Sequence, residues 1–306
     1  MTALGIGLAA LGRPAYINLG RTDALPAHRT VDELRAASWA VLDAAYDAGI
    51  RWVDVARSYG LAEEFLAGWL DSRDHPDVTV SSKWGYAYVG DWRLDAKVHE
   101  VKEHSRDRFR TQLAQTRELL GDRLALYQVH SLTVDSPLFT DEALLADLAA
   151  SGIRTGFSTS GPAQAETIRK ALALTVHGKP LFTAVQSTWS PLETSVGPAL
   201  AEAHRNGAHV LVKEVLANGR LAVEPPELVT KLAKQHEVGP DAIALAAALA
   251  QPWADTVLVG PVSVPQLRSN VNAQDISLTT AELDELKKLA QLPDEYWAQR
   301  AALPWN

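Results

Sequence analysis

Four side chains that can hold or transfer a proton stand after short apolar runs typical of buried strands. They are Asp54, Tyr59, Lys83 and His130, and the runs are residues 50–53, 78–82 and 124–129. An acid, a phenol, an amine and an imidazole together can bind, orient and donate one proton. Because each follows a predicted strand end, or the loop after one, we expect them to share one rim of the fold.

The expected roles follow from ordinary pKa values. A free tyrosine has a pKa of about 10, too high for easy proton exchange at neutral pH, and an adjacent ammonium favours its ionised form. Lys83 is therefore expected to lower the pKa of Tyr59, with Asp54 keeping Lys83 charged and oriented. His130 would orient a substrate oxygen. Such a set supplies a proton but no electrons, so a bound cofactor must supply the rest.

Each of the four also has an ordinary structural interpretation. Asp54 could cap a helix, Tyr59 could be a half-buried ring, and Lys83 could be a solvated strand end. His130 alone would more often be a core histidine. A Ser-His-Asp hydrolase is disfavoured, because no Gly-x-Ser-x-Gly sequence occurs.

Composition narrows the class of protein. The absence of cysteine excludes a disulfide framework, thiolate catalysis and cysteine-based metal sites. The opening stretch, residues 1–12, lacks a basic region and contains three glycines, so we expect no signal peptide and a cytoplasmic location. No apolar run reaches the roughly 20 residues of a membrane span. We therefore expect no membrane partner. A net charge of −8 with interleaved signs offers no basic stripe for a phosphate backbone, so we also expect no nucleic-acid partner. No metal site is expected.

Eight strand-like runs alternate with helical patterns along the chain. The predicted strands lie near residues 4–8, 50–54, 78–83, 124–129, 153–157, 182–186, 209–213 and 256–259. This alternation predicts a closed α/β (β/α)8 TIM barrel in one domain, residues 1–306. An open doubly wound sheet is the alternative, but Gly5, Gly7 and Gly12 do not match G-x-G-x-x-G.

Some predicted segments are additional to the eight β/α units of the barrel. A helix at 240–251 beside 226–238, and another at 279–290, are predicted to lie outside the barrel. The tail, 291–306, is too apolar for a free terminus and is expected to pack onto the body near the active-site rim.

The chain resembles an aldo/keto reductase over nearly its whole length. The similarity is carried by Gly49-Ile-Arg-Trp-Val-Asp-Val-Ala-Arg-Ser-Tyr-Gly60, by Ser82-Lys83-Trp84-Gly85 and by Leu126-Tyr-Gln-Val-His130. It implies a (β/α)8 barrel that uses nicotinamide without a Rossmann domain. It also implies that Asp54, Tyr59, Lys83 and His130 are the catalytic residues.

The resemblance further implies a set of cofactor contacts. Ser158 and Gln186 would hold the nicotinamide carboxamide, and 258–270 would bind the adenosine phosphate end. The full predicted set is Ser158, Thr159, Gln186, Lys213, Gly260, Ser263, Gln266 and Asn270. Thr159 replaces the asparagine usual in the family. Lys213-Glu214-Val215-Leu216 replaces a run like Tyr-Ser-Pro-Leu, and the pair Lys213 and Glu214 could bind each other or reach the pyrophosphate.

The cofactor is predicted to be NADP(H), with NAD(H) also accepted. NADP-selective relatives often carry a lysine at the position of Gly260 and an arginine at that of Gln266. Both are absent here. Arg268 is two residues from the usual arginine, about 200° around a helix.

The aromatic residues after the third strand are predicted to bind substrate. Trp84, Tyr86 and Trp92 would form a pocket for an apolar or aromatic carbonyl, or for a sugar-like molecule with an apolar face; plain surface packing is the alternative. His99 and His104 are five residues apart, too far round a helix to share a metal, and are interpreted as part of a solvated helix start.

We therefore expect reversible reduction of an aldehyde or ketone by NAD(P)H, with Tyr59 as proton donor. The partner would be a small-molecule carbonyl or sugar-like substrate, and the protein a monomer or small homo-oligomer. The alternative is a catalytically weak, cofactor-binding redox sensor of the kind known in potassium-channel β-subunits.

Overall fold

Eight parallel strands close into a barrel in the computed structural model, which describes residues 2–306. They are β1 (Ala3–Gly7), β2 (Trp52–Asp54), β3 (Thr79–Trp84), β4 (Leu124–Leu132), β5 (Arg154–Thr159), β6 (Ala184–Thr188), β7 (His209–Lys213) and β8 (Thr256–Val259). Each pairs with its neighbour in sequence, and β8 pairs with β1. The predicted (β/α)8 barrel is confirmed. Met1, the first residue of the opening stretch and of the predicted domain, lies outside the described residues.

Helices surround this barrel. They are α1 (Val31–Asp47), α2 (Ala62–Ser72), α3 (Arg106–Leu120), α4 (Glu142–Ala149), α5 (Gln164–Leu172), α6 (Gly197–Arg205), α7 (Arg220–Val223), α8 (Glu227–Gln235), α9 (Pro240–Leu249), α10 (Val264–Val271), α11 (Thr280–Lys287) and α12 (Pro293–Ala301). The predicted outer helices correspond to α8, α9 and α11. None of the helices in residues 2–306 is both long enough and apolar enough to cross a membrane.

The first helix shows how local sequence sets an element. Thr30 and Glu33 form a capping box, in which the Glu33 amide donates to the Thr30 hydroxyl and the Thr30 amide donates to the Glu33 carboxylate. Leu34 and Val41 belong to the face that is buried against the barrel. Gly49, at φ 84°, ends the segment in the left-handed region. The chain then enters β2 within a few residues, so the helix delivers the strand that ends in Asp54.

A hairpin separates β3 from α3, where the sequence predicted a solvated helix start. Residues 86–88 pair antiparallel with 100–102. His99 and His104 flank the second strand of the hairpin, and only 6% and 4% of their surfaces are exposed. The interpretation of both histidines as solvated was wrong, because the helix begins later, at Arg106, after a capping serine.

The C-terminal tail returns to the rim, as predicted. The main chains of Tyr16 and Asn306 exchange two hydrogen bonds, of 3.1 and 3.2 Å. Buried Arg21 donates to the Asn306 carbonyl at 2.7 Å. The loop after β1 and the tail are thus joined beside the strand ends.

Candidate active site

A cavity of about 360 Å³ opens at the C-terminal ends of the strands. Its walls include seven of the predicted site residues, namely Asp54, Tyr59, Tyr86, His130, Gln186, Lys213 and Gly260. This is the end of the barrel where parallel (β/α)8 enzymes carry their chemistry.

Register explains why the side chains meet inside the barrel. Asp54 is level with Ser81 on β3, and Lys83 is level with Gln128 on β4. Residues two apart on a strand point to the same face. Ser81 and Lys83 therefore both face inward beside Asp54.

The Lys83 ammonium links the acid to the phenol. It forms a buried ion pair with Asp54 and lies 3.3 Å from the Tyr59 hydroxyl. It also donates to the Val55 carbonyl at 3.1 Å. Only 1% of Lys83 is exposed, so its position is set by these partners rather than by solvent.

Asp54 accepts hydrogen bonds from three further side chains. The Ser81 hydroxyl lies 2.7 Å from Oδ1, and the amides of Gln128 and Gln186 each lie 3.1 Å from the same oxygen. Four donors thus surround one buried carboxylate. Gln186, predicted to hold the nicotinamide carboxamide, is in this structure a partner of Asp54.

The pKa of Tyr59 is shifted in the direction opposite to that expected from the sequence. Burial raises the pKa of Tyr59 well above its ordinary value, and the negative charges of Asp54 and Glu100 raise it further. The prediction that Lys83 lowers the pKa of Tyr59 below that of a free phenol was wrong for this state of the protein. The phenol is therefore held protonated, as a donor must be.

His130 is held neutral beside the phenol. Burial, and then the charges of Lys83 and Lys213, lower the pKa of His130 well below its ordinary value. Its Nδ1 lies 3.3 Å from the Ser58 hydroxyl, and its ring centroid lies 5.4 Å from that of Tyr59. With Nδ1 facing Ser58, Nε2 is the nitrogen left to contact a substrate oxygen.

Two predicted cofactor residues on β5 are engaged within the protein. The Ser158 hydroxyl accepts from the Ser131 amide at 2.8 Å, and that of Thr159 lies 2.6 Å from the Ser187 hydroxyl. Both are fully buried, and neither lines the cavity.

Lys213 and Glu214 pair, and a third residue joins them. Arg300 of α12 donates two hydrogen bonds to the Glu214 carboxylate, at 2.8 and 2.5 Å. Lys213 lies 3.6 Å from the same carboxylate and donates to Thr188 at 2.8 Å. Burial lowers the pKa of Lys213 to about 8. The cluster holds two cations and one anion, leaving net positive charge at the cavity wall.

The residues predicted to hold the adenosine phosphate lie around the start of α10. Ser263 caps this helix, and the side-chain oxygen Oε1 of Gln266 accepts from the Val262 main-chain amide at 2.9 Å. Asn270 donates to Asp241 at 2.6 Å. Arg268 is exposed. Of the predicted stretch 258–270, its first three residues, Leu258, Val259 and Gly260, line the cavity.

The predicted aromatic pocket is corrected for two of its three residues. Trp84 is fully buried, and its ring centroid lies 5.0 Å from that of Phe109 on α3. It adjoins Lys83 on β3, so the two side chains point to opposite faces and Trp84 points into the helix layer. Trp92 donates to the Arg29 carbonyl at 3.0 Å, away from the cavity. Tyr86 does line the cavity, and its role in substrate binding stays a prediction.

Several cavity residues were not predicted as contacts. They are Arg13, Glu100, Asn218 and Arg300; Trp305, which also lines the cavity, belongs to the tail that was expected at the rim. Arg13 follows β1, and every loop after a barrel strand reaches this rim. That signal could have identified Arg13 and Asn218. Glu100 depends on the unpredicted hairpin, and Arg300 on the course of the tail.

The fold is a closed (β/α)8 barrel, and at its strand ends a buried chain of Asp54, Lys83 and Tyr59 lies beside the neutral His130. This combination indicates an enzyme of the (β/α)8 barrel class. Across residues 2–306, no three histidine, aspartate or glutamate side chains form a group suited to a metal ion. Comparison with known proteins then gives the family. The model of the Aldo/keto reductase family matches residues 3–291, so this chain belongs to that family and is an oxidoreductase.

Its similarity to individual relatives is moderate. It is 26% identical to the aldo-keto reductase str7 of Strobilurus tenacellus, over 94% of this chain and 87% of that one. It is 24% identical to a D-threo-aldose 1-dehydrogenase from Pseudomonas sp, over 95% and 97%. Its fold matches the holo form of aldo-keto reductase AKR11C1 from Bacillus halodurans, with TM-score 0.67, 23% identity and coverage of 94% and 92%.

Proposed function

We propose that this protein reversibly reduces an aldehyde or ketone to an alcohol with NADP(H), that it also accepts NAD(H), and that Tyr59 donates the proton. The observation that carries the proposal is the Lys83 ammonium, which contacts both the Asp54 carboxylate and the Tyr59 hydroxyl. A redox-sensing subunit would have no need for this complete proton-donating set.

In reduction, the bound nicotinamide would supply the hydride to the carbonyl carbon. The proton passes from the Tyr59 hydroxyl to the carbonyl oxygen, which becomes the alcohol. Lys83 stabilises the phenolate that remains, because its ammonium lies 3.3 Å from the phenol oxygen. Neutral His130 orients the carbonyl oxygen by hydrogen bonding. Oxidation of the alcohol runs through the same groups in reverse.

The cavity wall suits an anionic dinucleotide. Asn218 is 5% exposed, and its side-chain oxygen has no hydrogen-bond partner within the described part of the chain, so this acceptor is available to an N–H or O–H donor of the cofactor. The nearby Lys213, Glu214 and Arg300 cluster carries net positive charge. We propose that Lys213 and Gly260 contact the cofactor, joined by Ser158, Thr159 and Gln186 near the nicotinamide and by Ser263, Gln266 and Asn270 near the adenosine phosphate.

We expect only a modest preference for NADPH over NADH. Gln266 and Asn270 are already hydrogen bonded within the protein. Side-by-side titration of both cofactors measures the preference. A ratio above roughly 10³, or about 4 kcal/mol, would contradict this expectation and would make Arg268→Ala the first variant to compare.

The Tyr59→Phe variant tests the proton donor. Removing the phenolic oxygen should reduce the rate of the chemical step by about 10²- to 10⁴-fold, which is the usual contribution of general acid catalysis. Cofactor affinity and the unfolding midpoint should change little. Tyr46→Phe, which removes a hydroxyl from α1 that binds Asp77, is the matched control. Full activity of Tyr59→Phe on a panel of simple carbonyls would refute the assignment, and no turnover by the wild-type protein would favour the redox sensor.

A further inference from the structure

Ser58 lies beside two residues of the proposed reaction but does not line the cavity. It immediately precedes Tyr59 in the loop after β2, and its hydroxyl oxygen lies 3.3 Å from Nδ1 of His130. Only 1% of Ser58 is exposed. A substrate in the cavity therefore does not touch Ser58, and any effect of this hydroxyl on the reaction must pass through the imidazole.

The main chain around Ser58 is held in place from two sides. Arg13, which is 1% exposed, donates from Nη1 to the Ser58 carbonyl at 3.0 Å. Its guanidinium carbon also lies 5.5 Å from the centroid of the Tyr59 ring. On the other side, the Arg57 amide donates to the Lys83 carbonyl on β3 at 3.2 Å. The loop therefore holds the Ser58 hydroxyl in one place beside the imidazole.

The partners of this hydroxyl decide where one hydrogen lies. A serine hydroxyl has one hydrogen to donate, and a neutral imidazole has one nitrogen that donates and one that accepts. Within residues 2–306, His130 Nδ1 is the only hydrogen-bond partner of the Ser58 hydroxyl. If Nδ1 carried the imidazole hydrogen, the buried hydroxyl hydrogen would be left without an acceptor, which is unfavourable. The Ser58 hydroxyl therefore donates, and Nδ1 accepts.

This direction of donation fixes what the second imidazole nitrogen can do. When Nδ1 is an acceptor, the single hydrogen of neutral His130 lies on Nε2. His130 and Tyr59 both line the cavity, so the Nε2–H group and the phenol O–H group can donate to the same carbonyl oxygen. The opposite tautomer would direct the lone pair of Nε2 at that oxygen and repel it.

We propose that Ser58 is a positioning residue, whose hydroxyl donates to Nδ1 of His130 and thereby holds the imidazole in the tautomer that donates from Nε2. The tautomer is a property of the protein alone, whereas its effect on turnover rests on the proposed carbonyl reduction. The two parts can therefore be measured separately.

The tautomer can be measured without any substrate. Long-range proton–nitrogen NMR correlation spectra distinguish the protonated ring nitrogen from the bare one, and the signals absent from His130→Gln assign this residue among the nine histidines. At about pH 8, where an imidazole is neutral, we expect the hydrogen on Nε2 in the wild-type protein. In Ser58→Ala the ratio of the Nε2–H to the Nδ1–H tautomer should fall about tenfold, as for loss of one hydrogen bond. A wild-type hydrogen on Nδ1 would overturn the proposal, and this measurement does not require any Ser58 variant to fold.

Kinetics test the consequence for the reaction. In Ser58→Ala, kcat should fall about tenfold while the cofactor Kd stays within about threefold, because the misplaced hydrogen affects only the carbonyl oxygen. Ser58→Thr keeps a hydroxyl and should restore both the tautomer and kcat. Ser38→Ala is the matched control, since Ser38 is equally buried but donates to the Leu34 carbonyl at 2.8 Å, and it should match the wild type in both readouts. An unchanged tautomer in Ser58→Ala, or a changed tautomer with unchanged kcat, would contradict the proposal.

The two readouts also separate this proposal from the proposed reaction. If the wild-type protein reduces no carbonyl but Ser58→Ala shifts the tautomer, the reaction is wrong and the positioning of His130 by Ser58 stands. If carbonyls are reduced but the wild-type hydrogen lies on Nδ1, the reaction stands and the role of Ser58 is wrong.

Discussion

At the scale of single residues, the Asp54–Lys83 pair is the most constrained feature of the site. The Asp54 carboxylate is 3% exposed and accepts from Lys83, Ser81, Gln128 and Gln186. Removing one partner of a buried ion pair usually costs more stability than the pair contributes, because the other charge is left without compensation. A substitution at this ion pair is therefore expected to change both the stability and the activity of the protein.

Lys83→Met should be both inactive and less stable. We expect it to lose about 3–5 kcal/mol of unfolding free energy at pH 7, measured by urea denaturation, because it leaves Asp54 ionised and buried. Carbonyl reduction should fall with it, since the phenolate of Tyr59 loses its stabilising cation.

A double variant separates the two effects. Asp54→Asn combined with Lys83→Met removes both charges and keeps similar side-chain volumes, so most of the stability should return while activity does not. Recovery of activity in the double variant would contradict the role of Lys83 at Tyr59. A fully stable Lys83→Met would show that the three remaining donors suffice for Asp54.

Sequence reasoning placed the four residues of the proposed proton transfer together because the ends of apolar runs locate strand ends. It did not find the amide donors from Gln128 and Gln186, which depend on strand register. It also gave the wrong direction for the pKa of Tyr59, because burial and the charge of Glu100 are properties of the folded barrel.

At the scale of elements, β4 carries a bulge at His130. Between the pairs of Val129 and Leu132 with β5 the strand holds one extra residue, and Ser131 has φ 51°, which is unusual for a residue other than glycine. Two side chains satisfy the displaced backbone. His104 Nε2 lies 2.8 Å from the His130 carbonyl, and the Ser131 amide donates to Ser158.

The bulge predicts that His104 positions His130. His104→Phe would leave the His130 carbonyl without its donor, and we expect a loss of about 1–3 kcal/mol in unfolding free energy together with a lower kcat. His104→Gln, which keeps a side-chain N–H, should recover part of both. If kcat is unchanged in His104→Phe while stability falls, His104 acts on folding alone.

The same histidine gives a pH signature. Burial lowers the pKa of His104 to about 4, so the unfolded chain binds its proton more readily than the folded one between about pH 6.5 and 4. The unfolding free energy should decrease as the pH is lowered through that window and should level off below about pH 4. The fall should be smaller in His104→Gln by roughly 1–3 kcal/mol, as measured by denaturation at pH 7 and pH 4.5.

The elements themselves followed from periodicity, and most strand limits are within two residues of those predicted. The hairpin at 86–102, in contrast, could not be predicted from periodicity. Its strands have three residues each, too short for alternation to stand out, and its pairing joins residues more than ten positions apart.

At the scale of the whole molecule, the C-terminal segment joins the two sides of the cavity. Trp305 and Asn306 contact the loop after β1 through Arg13, Tyr16 and Arg21. Farther back on α12, Arg300 binds the Glu214 carboxylate, whose side chain is 10% exposed. The first group of contacts lies on the proposed substrate side, and the second beside the proposed cofactor residue Lys213.

This division predicts that two truncations behave differently. Deleting 302–306 removes Trp305 but keeps the pair of Arg300 with Glu214, so the KM for a carbonyl should rise while the cofactor Kd stays within about threefold. Deleting 293–306 also leaves the Glu214 carboxylate without its bidentate partner, and should cost about 3–5 kcal/mol of stability and weaken cofactor binding as well. Fluorescence titration of NADPH and urea denaturation measure these quantities. Equal effects of the shorter deletion on KM and Kd would show that the tail supports the barrel as a whole rather than the substrate side of the cavity.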